Sequence, residues 1–155
     1  MNQQQNDLQK IATTNGKLLG VDFGDTRTGL AISDPSRLLA SGIGYISPGG
    51  IEKTADAVAE IAKEQRVVAI VVGLPVNMDG SEGSRAARCR KFAHLLNERL
   101  SLPVAMFDER MTTMTAARYL NETNTRGKKR KGVIDTLSAQ IILQNCIDRL
   151  KYLKG

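Results

Sequence analysis

Residues 17–33 read KLLGVDFGDTRTGLAIS, and this stretch decides the fold. Residues 17–23 are an apolar run carrying one acid, Asp22, near its end. Gly24, Asp25 and Thr26 then supply turn chemistry, and residues 28–33 form a second short apolar run. Two extended runs this close in sequence pair as an antiparallel hairpin, because a parallel pair needs a crossover of a dozen or more residues. Asp22 is thereby expected at the very end of a strand.

Working outward, a third strand is expected within residues 38–46, closed by Ser47-Pro48-Gly49-Gly50. The pattern then alternates. Ile51, Ala55, Val58, Ala59 and Ala62 recur at helical spacing. Residues 67–72 are a β-branched run suited to a strand buried on both faces. A second helix is expected from Ser81 or Ser84 to about residue 100, and residues 103–107 form a short strand ending at Asp108-Glu109-Arg110. Thr112 or Thr113 caps a helix to residue 121, a basic loop follows, and a last helix runs from about residue 133 to 152. The order β-β-β-α-β-α-β-α-α predicts an α/β domain with a mixed five-stranded sheet and helices on both faces, the order of the RNase H-like fold. Residues 1–16, rich in Gln and Asn, read as a flexible polar tail, leaving 17–155 as the domain.

Composition narrows the function. The 155 residues suit one domain, and 41% hydrophobic with 25% charged residues excludes wholesale disorder. Cys89 and Cys146 lie far apart without a C-x-x-C, against a disulfide framework or structural zinc. No run has the length of a membrane span, and the N-terminus has no apolar signal core, so a soluble cytoplasmic protein is expected. Of the net charge of +6, Arg126, Lys128, Lys129, Arg130 and Lys131 contribute five positive charges within six positions. Such a cluster attracts polyanions, although by itself it is equally consistent with a solvated loop. Only 4% of residues are aromatic, which argues against a base-stacking platform as the main binding device.

Three acids fall at element ends: Asp22 after the first strand, Glu109 after the last strand and Asp135 at the start of the final helix. A central first strand beside the strand carrying Glu109 would bring all three together. Carboxylates so clustered repel one another unless a cation is present, and Mg²⁺ or Mn²⁺ wants such oxygen ligands. Each acid also has a duller reading: Asp22 as a turn cap, Glu109 as a partner of Arg110, Asp135 as a charge favoured by the helix dipole. In Gly73–Leu74–Pro75 and Met78–Asp79–Gly80–Ser81, free amides with Ser81 and Ser84 are candidates for holding a phosphate, extended by Arg85, Arg88 and Lys91 along one helix. Arg27 and Arg110 join them as candidate substrate contacts. The glycine-bearing hairpin from Asp22 also suggests an ATP-phosphate loop, but such enzymes need two lobes and this chain has room for one. His94, with no second His or Cys pair nearby, reads as structural.

Four blocks carry a resemblance: DFGDTRTGLA from Asp22, GLPVNMDGS from Gly73, DERMTT from Asp108 and KGVIDTLSA from Lys131. Each is weak alone; all four in this order are highly specific. Over residues 18–150 the chain resembles the YqgF family, also called the RuvX or Holliday junction resolvase family. That resemblance implies an RNase H-like fold, a nuclease using Mg²⁺ or Mn²⁺, and catalytic acids at Asp22, Glu109 and Asp135. It also implies a link to 5′-end maturation of pre-16S ribosomal RNA. Ser138 departs from the alanine of the last block, and residues 1–16 lie outside the resemblance. The expected partners are structured RNA, or branched DNA, and pre-ribosomal particles, met by a monomer or weak dimer. Resolution of four-way DNA junctions and non-catalytic ribosome-assembly binding are the alternatives.

Overall fold

The computed structural model describes residues 3–111 and 127–154, with side chains over 6–110 and 131–153. Five strands form one sheet: β1 (Leu18–Asp22), β2 (Thr28–Ser33), β3 (Ala40–Ile46), β4 (Ala69–Leu74) and β5 (Val104–Asp108), in the order β3-β2-β1-β4-β5. The hairpin makes β1 and β2 antiparallel, and β3 continues the meander. β1 and β4, and β4 and β5, run parallel. Helices α2 (Ile51–Gln65) and α3 (Ser84–Arg99) are the crossovers those parallel pairs require. β4, AIVVGL, is buried at every position, as its run of apolar residues anticipates for a strand covered on both faces.

Side chains alternate across the sheet, so each face has its own core. Leu19, Val21, Leu30, Ile70 and Val72 meet Ala55 and Val58 of α2 and Phe92 and Leu96 of α3. On the other face Leu18, Ala31, Val71 and Phe107 meet α1 (Gln3–Ala12) and α4 (Gly127–Lys154). Phe23, directly after Asp22, stacks on Phe92 with ring centroids 4.5 Å apart, fixing the start of the hairpin turn against α3. Cys89 and Cys146 are both free and buried. No helix among the described residues is long and apolar enough to cross a membrane.

Three expectations change. The polar segment 1–16 carries helix α1, because Leu8, Ile11 and Ala12 fall at helical spacing and are fully buried. Arg37 secures its end, donating to the Ile11 carbonyl at 3.0 Å, the Gly16 carbonyl at 2.8 Å and the Thr14 hydroxyl at 2.6 Å. The final helix begins at Gly127 rather than near residue 133, so Asp135 lies more than two turns inside it. Lys128, Lys129, Arg130 and Lys131 consequently lie on helical backbone and not in a loop; lysine and arginine are good helix formers. Arg126 and the helix expected from Thr112 or Thr113 to residue 121 lie outside the described residues.

Candidate active site

The site lies at the end of the sheet where β1 stops. Asp22 is paired with Gly29, and Gly29 with Tyr45, giving a row of three residues across β1, β2 and β3. Helix α4 crosses this row at backbone distance: a Cβ on Gly29 would overlap the Asp135 carbonyl oxygen. A hydrogen at this position lets Asp135 stand beside the strand end that bears Asp22. Glu109 was expected on a strand directly beside β1, but β4 lies between β1 and β5, so Glu109, the first residue of a single 3₁₀ turn (Glu109–Met111) after β5, reaches the site across Gly73 of β4. Its carboxyl carbon lies 3.2 Å from where a Cβ on Gly73 would stand. The hairpin turn itself is closed by Thr28, whose hydroxyl donates to the Gly24 carbonyl at 3.2 Å. Asp22 is thus not needed as the turn's cap.

Electrostatics mark Asp22 as the centre of the group. Its carboxyl is raised from 3.8 to about 7, first by burial, then by the charge of Glu109, with Asp135 adding to the same effect and Arg85 opposing it. Arg85 reaches to 3.8 Å of Asp22. Glu109 is raised too, chiefly by burial, against the pull of Arg85. Asp135 is held otherwise: the Arg27 Nε–H donates to its Oδ2 at 2.7 Å in a half-buried pair. All three acids therefore share one end of the sheet. Among the described residues, however, no three His, Cys, Asp or Glu side chains converge tightly enough to enclose an ion. Arg27 and Arg85 supply positive charge to the acids instead.

The remaining candidates divide. Arg85 faces the acids and is largely exposed. Arg88 is tied to Asp25 at 2.5 Å, and Arg110 forms a bidentate pair with Asp108 while approaching the Asn77 carbonyl at 3.5 Å. Ser81 lies outside α3, which begins at Ser84. Its hydroxyl donates to Asp79 at 2.6 Å and accepts from the Asn77 amide at 2.9 Å, closing its own loop. Lys91 and Lys131 are exposed, and the first turn of α4 carries Lys128, Lys129 and Arg130. His94 is exposed and paired with Glu98 at 2.8 Å, away from the acids. The pairing of Arg27 with Asp135 and the space left by Gly29 and Gly73 escaped sequence reasoning. The spacing of Arg27 and Gly29 within the hairpin was their one available signal.

A mixed sheet in this order, with acids gathered at the end of its central strand, defines an RNase H-like α/β protein. The solved structure of Thermus thermophilus RuvC in complex with a Holliday junction substrate shares that fold, with a TM-score of 0.56 at 14% identity over 86% of this chain and 94% of the other. The family model described as RuvX, Holliday junction resolvase, matches residues 16–149, and the chain belongs to that family. A relative from Phenylobacterium zucineum (strain HLK1), named for pre-16S rRNA nuclease activity, is 42% identical over 149 residues, 95% of this chain and 96% of its own. One of the same name from Ruminiclostridium cellulolyticum (strain ATCC 35319 / DSM 5812 / JCM 6584 / H10) is 39% identical over 135 residues, 86% of this chain and 95% of its own.

Proposed function

We propose that this protein is a divalent-metal-dependent endonuclease that hydrolyses phosphodiester bonds in structured RNA, acting in the cytoplasm in 5′-end maturation of pre-16S ribosomal RNA. The observation that carries this reading is the Asp22 carboxyl, sunk at a strand end with Glu109 and Asp135 in its field. Acids brought this close at the cost of mutual repulsion are explained by a cation, and their oxygens suit a hard one such as Mg²⁺ or Mn²⁺. As they stand the three acids do not enclose an ion, with Arg27 on Asp135; once Arg27 gives way, Asp22, Glu109 and Asp135 would hold it, and it would supply an activated water and charge neutralisation at the phosphate. Arg85 stands ready to receive a phosphate oxygen near Asp22. The cationic first turn of α4 would bind flanking phosphates without regard to sequence. The relatives named for pre-16S rRNA nuclease activity supply the substrate class.

Cleavage of four-way DNA junctions is the second reading, favoured by the description of the matching family model. The test offers the purified protein a precursor 16S RNA with its 5′ extension and a synthetic four-way junction, each with and without Mg²⁺ or Mn²⁺. RNA cleavage lost in Asp22→Asn confirms the first reading. Losing one interaction of this kind costs several kcal/mol, roughly a hundredfold or more in rate. Junction cleavage alone selects the second reading. Binding without cleavage of either substrate makes the chain an assembly factor, and wild-type rates in a folded Asp22→Asn remove the acid from the chemistry.

A further inference from the structure

Tyr45 is an unassigned aromatic beside the acids. It sits on β3, an edge strand of the sheet, paired with Gly29, which is in turn paired with Asp22. Neighbouring strands are ~4.8 Å apart, so the Tyr45 and Asp22 backbones are separated by only about 10 Å along one row. Residues aligned in a row share a face, and this is the face on which Asp135 rests over Gly29. Tyr45 leans on α4 at Gly132: a Cβ there would stand 3.0 Å from the ring's Cδ1 and 3.1 Å from its Cζ, and nearer still to Cε1. The ring is thus braced by a bare helix backbone, while 48% of the residue's surface stays exposed. Lys131, next to Gly132, is exposed, and three further cations precede it on the same helix.

A large ring braced at a sheet edge, near exposed Lys131 and a nucleotide or two from the proposed phosphate-cleaving centre, has the chemistry of a stacking platform for a nucleobase. We propose that Tyr45 stacks an unpaired base of the strand whose phosphate lies at Asp22, selecting substrates that are single-stranded or splayed at the cut. This rests on the proposed nuclease function and deepens it. A base inside a continuous duplex has both faces occupied by its neighbours and offers none to Tyr45. Low aromatic content is no obstacle, because one ring placed by Gly132 suffices for one base.

The test measures binding without metal, so cleavage does not interfere. The probes are a short single-stranded RNA carrying 2-aminopurine, the same strand with that base removed, and a blunt duplex of equal length. Tyr45→Ala should weaken binding of the intact strand roughly fivefold to tenfold, the lower part of the range for one stacked base, and abolish the 2-aminopurine quenching. Tyr45→Phe should retain both. The abasic strand and the duplex should bind Tyr45→Ala and wild type alike. Gly132→Ala, which pushes the ring aside while favouring the helix, should reproduce the loss in wild type and add nothing in Tyr45→Ala. Equal losses on intact and abasic strands would overturn the stacking role and leave Tyr45 as edge packing. The nuclease reading fails separately, through the Asp22→Asn cleavage assay.

Discussion

Gly29 and Asp135 meet backbone to backbone, the Asp135 carbonyl oxygen occupying the space that a side chain on Gly29 would need. Since Gly29 is the residue paired with Asp22, one missing methyl group sets how near the third acid comes to the first.

Gly29→Ala should therefore force α4 away from the sheet. Neither partner is the far end of a flexible side chain, so overpacking of about 2–3 kcal/mol is expected. Gly83→Ala, with open space around it and only its place as the N-cap of α3 to lose, should cost no more than ~1 kcal/mol. Urea unfolding of both variants checks this, and a Gly29→Ala as stable as Gly83→Ala contradicts the close approach.

The raised carboxyl of Asp22 predicts a pH dependence of the metal-free fold. Its folded value of about 7 lies above its ordinary 3.8, so the folded state binds this proton more tightly than the unfolded chain. The stabilisation is fully present below about pH 4 and is lost as pH rises through about 7. The interval corresponds to ~4 kcal/mol at most. Asp22→Asn should accordingly melt above wild type at pH 8, with the gap closing by pH 4. Mg²⁺ should narrow the gap at pH 8 by stabilising wild type. Parallel melting curves at both pH values that show no gap would place Asp22 in an ordinary solvated environment.

Arg27 competes with any cation for Asp135, because its Nε–H already occupies Oδ2. Arg27→Met should leave Asp135 free and tighten Mg²⁺ binding severalfold in the absence of nucleic acid, measured by calorimetry. Weaker binding in the variant would mean that Arg27 orients Asp135 for the metal rather than shielding it.

The basic start of α4 should govern salt dependence. Replacing Lys128, Lys129, Arg130 and Lys131 by Ala should weaken binding across sequences. If about three of them neutralise duplex phosphates, the log–log slope against salt should flatten by roughly 2.7, at ~0.9 per contact. A titration with unchanged slope would leave these charges as bystanders.

Much of the fold is legible in residues 17–33 and in the apolar run of β4, because a two-strand hairpin and a doubly covered strand each leave a local pattern. Helix α1 was hidden by its composition: Leu8, Ile11 and Ala12 make a stripe too narrow to stand out among Gln and Asn, and only docking on the sheet gives them a core. The start of α4 was obscured for a related reason, since cations that read as loop are also good helix formers. Asp22 and Glu109 were legible as residues at strand ends, whereas Asp135, read as a helix start, lies more than two turns inside α4. Their arginine partners were not, because Arg27 and Asp135 stand far apart in sequence and meet only through the packing of α4 over Gly29.

The position of Asp135 on the last helix also has a consequence for synthesis. Helix α4 packs with α1 over one face of the sheet and emerges from the ribosome after the other described elements it packs against. A partly made chain holds Asp22 and Glu109 on a sheet whose second apolar face is covered by α1 alone, and long-range closure of this kind comes late in folding. On the proposed function, catalytic competence would thus arrive only once α4 has been made. Until then a nuclease directed at ribosomal RNA would stay inert beside the particle that is making it, and copies truncated before α4 would be adhesive fragments for quality control rather than uncontrolled cutters.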